Sequence, residues 1–121
     1  MRDRPGRLRA TLDRWANHDH AEAQDLLRDS ETAGLITIAA AVNREQVTLQ
    51  GTIRAVTLRP RGGVPALEAE LYDGSGTVVL IWLGRRRITG ISPGITMRVV
   101  GRLGCQDGLG VIYNPRYEIR P

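Results

Sequence analysis

The amino-acid sequence predicts a mainly β fold, a small antiparallel barrel of five strands preceded by an N-terminal helical extension. Three observations carry this prediction. Apolar and polar side chains alternate with a period of two through much of residues 47–121, and Gly- and Pro-containing turns separate the alternating stretches. A length of 121 residues suits one domain and not two. We therefore assign residues 1–46 to the helical extension and residues 47–121 to the barrel.

The N-terminal segment has helical periodicity instead. Apolar side chains recur there at spacings of three and four residues in two groups: Leu8, Leu12 and Trp15, then Ala23, Leu26 and Leu27. Residues 17–19 interrupt the pattern, and Asp19 followed by Glu22 has the spacing of a capping box. We therefore predict a broken helix or a short helical hairpin, whose second helix begins near His20 and ends at Gly34. Because helices of this length are not stable alone, the apolar stripe is expected to dock on the barrel or on another protein.

Turn residues divide the second part into strands. The predicted strands begin at Val47 and then occupy Leu67–Tyr72, Thr77–Leu83, Ile95–Leu103 and Leu109–Tyr113, with the fifth resuming after Pro115. The sequence Asp73-Gly74-Ser75-Gly76 can supply the positive-φ positions of a tight hairpin, with Asp73 bonded to local backbone. A second turn is predicted at residues 106–108. Gly51 and Gly101 lie inside strands, which indicates bends of the kind that barrel corners require.

The order of strands and turns resembles that of the OB-fold. Four features carry the resemblance: Gly51 within the first strand, the Asp73–Gly76 turn, Trp82 near the end of the third strand, and the Pro93-Gly94 turn before the fourth. With these features, residues 47–119 resemble OB-folds of the tRNA-anticodon-binding-like superfamily. They look most like the wedge domain of bacterial branched-DNA helicases and small stand-alone OB-fold proteins of actinobacteria. The resemblance implies a five-stranded Greek-key barrel that binds nucleic acid, but no helicase motor motif accompanies it.

The distribution of charge favours a polyanionic partner. All 17 basic residues are Arg, and the formal net charge is +4. Residues 1–46 hold seven Arg and eight acidic residues, whereas residues 47–121 hold ten Arg and five acidic residues. The excess positive charge therefore belongs to the predicted barrel. Guanidinium groups present paired donors that match phosphate, so the charge favours a polyanion. It is the resemblance to the OB-fold that implies DNA or RNA as this partner.

OB-folds that bind nucleic acid normally use the face of their second and third strands with the adjoining loops. On this basis the candidate nucleic-acid-binding residues are Arg54, Arg59, Arg61, Tyr72, Trp82, Arg85, Arg86, Arg87, Arg98 and Arg102. Alternation points Tyr72 outward, whereas Trp82 either offers a stacking face or packs in the core. Residues 85–87 are either phosphate contacts or a solvated run of charge. Glu68 and Glu70 share the face of Tyr72 and repel phosphate, so weak and salt-dependent binding is expected.

No residues in the sequence combine an acid, a base and an oxyanion site, so we expect a non-enzymatic protein without a cofactor. Cys105 is the only cysteine, which excludes an internal disulfide and a Cys-rich zinc site. His18 and His20 lie two residues apart and do not share a helix face, so no metal site is expected. The longest apolar stretch, Leu35–Val42, is too short to cross a membrane, and a cytoplasmic location is expected.

Two functions from different classes remain open at this point. The first is a nucleic-acid-binding module that takes single-stranded or branched DNA or RNA on an Arg-lined face. The alternative is a protein-interaction adaptor, in which residues 7–33 dock a partner or a second copy and the barrel serves as a scaffold. Titration with oligonucleotides at low salt separates the two, because only the first predicts binding.

Overall fold

The computed structural model describes the backbone of residues 6–121 and the side chains of residues 17–121. This part of the chain forms one helix and seven strands: α1 (Gly6–Thr32), β1 (Gln46–Leu58), β2 (Ala66–Tyr72), β3 (Thr77–Leu83), β4 (Thr96–Arg102), β5 (Gly104–Gln106), β6 (Leu109–Tyr113) and β7 (Arg116–Arg120). The mainly β fold with an N-terminal helix is therefore as predicted. Within the described residues, no helix is both long and apolar enough to cross a membrane.

The helix α1 is continuous, so the predicted break at residues 17–19 is wrong. Asn, His and Asp each disfavour a helix interior by only about 0.7 kcal/mol, and no Gly or Pro lies there to stop the helix. The predicted C-terminal end is confirmed by a Schellman cap. Gly34 has φ +72°, and the amides of Gly34 and Leu35 donate to the carbonyls of Glu31 and Ser30. The side chains of Leu8, Leu12 and Trp15 lie outside the described residues.

The strands form one sheet in the order β5-β6-β3-β2-β1-β4-β7, with all neighbours antiparallel except the parallel pair β3 and β6. The long strand β1 changes partner along its length, pairing with β4 over Gln46–Thr52 and with β2 over Thr52–Leu58. The register with β2 shifts between Ile53 and Ala55, which leaves Arg54 in a bulge. At Gly51, next to this transition, a Cβ would collide with the Tyr72 carbonyl, so the position requires glycine.

The number of strands differs from the predicted five. The strand β5 has three residues and no apolar alternation, so the sequence pattern does not reveal it. It pairs with β6 across Asp107 and Gly108, whose φ values of +54° and +80° suit a two-residue hairpin turn. The strand β7 is the resumption predicted after Pro115. Among the described strands no ladder joins β6 to β4, so a closed barrel stays a prediction, although Ile112 packs against Gly101.

Inward-facing side chains of the curved sheet form the main hydrophobic core. Its fully buried members include Leu49, Ile53, Leu71, Leu80 and Met97. The outer face carries a second, smaller cluster of Ala66, Ile81 and Val111, with Val79 packed against it. The strands β2, β3 and β6 therefore bury apolar residues on both faces of the sheet.

The turn between β2 and β3 anchors the N-terminal region. The Asp73 carboxylate is fully buried and accepts hydrogen bonds from the Ser75 amide at 2.9 Å and from the Ile38 amide at 2.7 Å. The predicted role of Asp73 in organising its own turn is therefore confirmed and extends to a distant segment. Gly74 lies directly under α1, where a Cβ would collide with the Ala23 carbonyl. The second half of α1 docks at this end of the sheet.

Candidate nucleic-acid interface

A groove of about 500 Å³ runs across the outer face of the sheet; we call it the outer groove. Its floor is built from outward-facing residues of β1, β2, β3 and β6, among them Thr57, Glu70 and Val79. The β1–β2 loop, with Arg59 and Arg61, contributes to its lining, and so does the turn between β5 and β6. The groove includes β2 and β3, the two strands predicted to carry the binding face, together with the β1–β2 loop, and it extends beyond them onto β1 and β6.

Charges in the outer groove are mixed and not basic. Arg59 and Arg61 face three acidic residues, Glu68, Glu70 and Asp107. The guanidinium of Arg61 lies 2.9 Å from the Glu68 carboxylate, whose side chain is only 12% exposed. This ion pair neutralises one acid and ties the β1–β2 loop to β2. The floor itself keeps a negative charge at Glu70.

Tyr113 lies beside this groove and was not among the predicted site residues. Alternation along β6 turns it to the outer face together with Val111, while Ile112 enters the core. Its hydroxyl donates to Gln106 Oε1 at 3.0 Å and accepts a bond from Arg61 at 3.4 Å, and 44% of the residue is exposed. Local alternation marks Tyr113 as outward-facing, but only the parallel pairing of β6 with β3, which the sequence pattern does not reveal, brings it beside the groove.

Four exposed arginines follow the ends of β1 and β3 at one edge of the sheet: Arg59, Arg85, Arg86 and Arg87. We call this set the arginine rim. The Gly84 amide donates to the Pro65 carbonyl at 2.7 Å, which joins the segment before Arg85 to the β1–β2 loop. The Leu83 amide donates to Asn114 Oδ1 at 3.0 Å, which fixes the end of β6 at the same edge. Because Arg59 also lines the outer groove, rim and groove are contiguous.

Arg54 and Tyr72 form a separate unit at the far end of β2. The Arg54 guanidinium lies 3.7 Å from the centroid of the Tyr72 ring and 3.2 Å from the Glu22 carboxylate of α1. The seven residues of β2 separate this unit from the arginine rim by about 20 Å. Tyr72 therefore has one ring face occupied by a cation, and this pair does not join the rim.

Arg98 and Arg102 lie on a third surface, the outer face of β4. Arg98 donates two hydrogen bonds to Gln50 Oε1, at 2.8 and 3.0 Å, and Arg102 donates to the Arg44 carbonyl. The neighbours of β4 are β1 and β7, and neither residue lines the outer groove. The predicted arginines thus divide among three places, and only Arg59, Arg61 and residues 85–87 come together.

Trp82 belongs to the hydrophobic core, so of the two alternatives predicted for it the structure supports packing in the core and not a stacking face. It is 5% exposed, and its Nε1 donates to the Pro115 carbonyl at 3.1 Å. Its ring meets that of Tyr117 edge to face, with centroids 5.8 Å apart. The register puts Trp82 on the inner face with Val78 and Leu80. Its ring therefore covers the core at the end where β3 ends.

The fold is of the OB type, and structures similar to it include proteins solved with DNA. RecG bound to a three-way DNA junction matches with a TM-score of 0.55 and 25% identity over 72% of this chain, which spans 12% of the RecG chain. A replication factor A related protein from Methanobacterium thermoautotrophicum matches with a TM-score of 0.54 and 10% identity over 71% of this chain and 90% of that one. The replication protein A heterotrimer bound to ssDNA matches with a TM-score of 0.51 and 16% identity over 72% of this chain and 66% of that one.

These similarities confirm the predicted resemblance to OB-fold nucleic-acid-binding domains. No family model matches the sequence, and no curated protein matches it.

Proposed function

We propose that this protein is a small, non-catalytic OB-fold module that binds single-stranded or junction nucleic acid. The observation that carries the proposal is the contiguity of the arginine rim with the outer groove, on the OB-type face of the sheet. The similarity to RecG, solved with a three-way DNA junction, supports the same class of ligand. Binding is weak and falls with salt, because most of its free energy comes from exposed arginines.

The rim and the groove have different roles in this proposal. The four rim arginines contact phosphates and position the strand without reading its sequence. Arg61, which is held by Glu68 and Tyr113, contributes to the wall of the groove and is less free to contact phosphate. Unpaired bases enter the groove, where apolar side chains of β3 and β6 and the ring of Tyr113 offer contact area. A continuous duplex buries its bases in the helix and is therefore bound less tightly than a single strand.

The described part of α1 leaves this interface open. Residues 17–32 contact the sheet near Gly74, Arg54 and Gln50, which lie at the opposite end from the arginine rim. Ser30, for example, is 1% exposed and donates to the Gln50 carbonyl at 3.4 Å. The helix therefore braces the sheet at one end, while the rim at the other end faces solvent.

The proposal is tested by fluorescence polarization with a single-stranded 15-mer, the matching duplex and a three-way junction, each at low and at moderate salt. We expect binding of the single strand and the junction at low salt, weaker binding of the duplex, and a steep loss of affinity as salt rises. Absence of binding to all three ligands at low salt would exclude the proposed function.

A protein-interaction adaptor remains the second candidate. The observation that favours it is the exposed apolar group formed by Leu58, Val64 and Leu83 at the edge that carries the arginine rim, next to a groove that has more acids than arginines. Mixed apolar and charged surfaces of this kind also suit protein partners. Failure of every oligonucleotide to bind would leave this function as the better account of the same surface.

A further inference from the structure

The acidic residues on the floor of the outer groove restrict how a nucleic-acid strand can lie in it. Glu68 and Glu70 occupy consecutive outward positions of β2, the central strand of the groove floor. Glu68 is neutralised by Arg61, but within residues 17–121 no arginine forms an ion pair with Glu70. A phosphate placed on this floor would meet an exposed carboxylate at close range and be repelled. The phosphates must therefore follow the rim, with the bases turned toward β2.

We propose that Glu70 reads these bases and makes the protein prefer guanine in a single strand. This inference rests on the proposed function. It assigns to the outer groove a base specificity that neither the fold nor the arginine rim supplies.

The chemistry of the base edges decides which base a carboxylate favours. Guanine presents N1–H and N2–H side by side, so a carboxylate accepts two parallel hydrogen bonds from it. Cytosine and adenine each present one amino donor next to a ring-nitrogen acceptor. Thymine and uracil present a single imino donor between two carbonyl oxygens, and both oxygens repel a carboxylate. The expected order of preference is guanine first and thymine or uracil last.

The surroundings of Glu70 leave room for a base beside its carboxylate. The register sets Glu70 between Ala55 of β1 and Val79 of β3, a methyl group and a branched apolar side chain. Both line the outer groove, as does Leu109 of β6, so a base that hydrogen-bonds to Glu70 contacts apolar surface at the same time. Loss of water from this patch strengthens the hydrogen bonds between carboxylate and base.

The test compares fluorescence polarization of labelled dT15 with that of dT15 carrying three isolated guanines, for the natural sequence and for Glu70→Gln. We expect the guanine-containing strand to bind at least about fivefold more tightly than dT15 to the natural sequence. In Glu70→Gln the neutral amide no longer repels thymine carbonyls and no longer accepts both guanine donors. Affinity for dT15 then rises and the preference for guanine falls below about twofold.

Glu118→Gln is the matched control, because it removes the same charge from an exposed position on β7, outside the outer groove. We expect this variant to keep the full preference for guanine. Equal affinity of the natural protein for the two strands, or an unchanged preference in Glu70→Gln, would overturn the role of Glu70 and leave the proposed function intact. Failure of both strands to bind would overturn the two proposals together. Thermal unfolding of each variant verifies that the fold is retained.

Discussion

The guanidinium of Arg54 stacks on the ring of Tyr72 at 3.7 Å and also pairs with Glu22 of α1. Two residues predicted to meet nucleic acid are therefore engaged with each other and with the helix. This contact links the bulge in β1 to the docking of α1. Arg54 and Tyr72 therefore stabilise the fold, whereas the arginine rim remains free to bind.

The first prediction concerns Tyr72. Replacement by Leu removes the cation–π contact, which is worth about 1 kcal/mol at an exposed site, and lowers the free energy of unfolding by that amount. The affinity for a single-stranded 15-mer should change less than about twofold, because a ring with one face covered contributes little stacking. Urea unfolding and fluorescence polarization measure the two effects. A loss of affinity of about tenfold would instead make Tyr72 a stacking residue.

The second prediction concerns the arginine rim. Alanine at Arg85, Arg86 and Arg87 together should reduce the slope of log affinity against log salt by about 2, since each phosphate contact with a single strand contributes about 0.7. The double replacement of Arg98 and Arg102 removes two charges from the outer face of β4 and serves as the control. Its slope should stay close to that of the natural protein. Equal slopes for the triple variant and the natural protein would show that residues 85–87 are solvated and do not contact phosphate.

The third prediction concerns Tyr113. The residue is 44% exposed beside the outer groove, and its hydroxyl is held by Gln106 and Arg61. Tyr113→Ala should weaken single-strand binding by about tenfold, because one stacked base contributes about 1–3 kcal/mol. Tyr113→Phe keeps the ring and should retain most of the affinity. If the Ala and Phe variants bind equally well, the ring does not stack on a base.

The fourth prediction concerns the curvature of β1. A Cβ at Gly51 would collide with the Tyr72 carbonyl, which belongs to the backbone and cannot rotate away. Gly51→Ala should therefore lower the free energy of unfolding by about 3 kcal/mol. Gly104→Ala is the matched control, since its Cβ would meet only the Val111 carbonyl at 3.5 Å, an ordinary contact. Similar urea midpoints for the two variants would contradict the account of Gly51.

The strands were predictable because local alternation fixes which side chains face the core. The strands β2, β3, β4 and β6 lie within one residue of their predicted bounds, and the cap at Gly34 was also evident in the sequence. The strand β5 was not predictable, because its only signal is the pairing it makes across Asp107 and Gly108. The continuity of α1 was missed because a capping-box spacing does not by itself stop a helix.

The candidate site was harder to predict because it depends on contacts between distant segments. The bulge at Arg54 and the docking of α1 together turn that arginine toward Tyr72 and Glu22. The inner-face register of β3 buries Trp82. Tyr113 lies beside the outer groove only because β6 pairs in parallel with β3. The placements of Arg54 and Tyr113 do not follow from local alternation alone, whereas the burial of Trp82 does, since it shares the inner face of Val78 and Leu80.

The central claim is that nucleic acid binds across the arginine rim and the outer groove, and NMR titration of the ¹⁵N-labelled protein with a single-stranded 15-mer tests it most directly. We predict that amide shifts concentrate at Arg59, residues 85–87, Val79 and Tyr113, while amides of Arg98 and Arg102 stay in place. Shifts confined to β4 and β7, or no shifts at low salt, would contradict the claim.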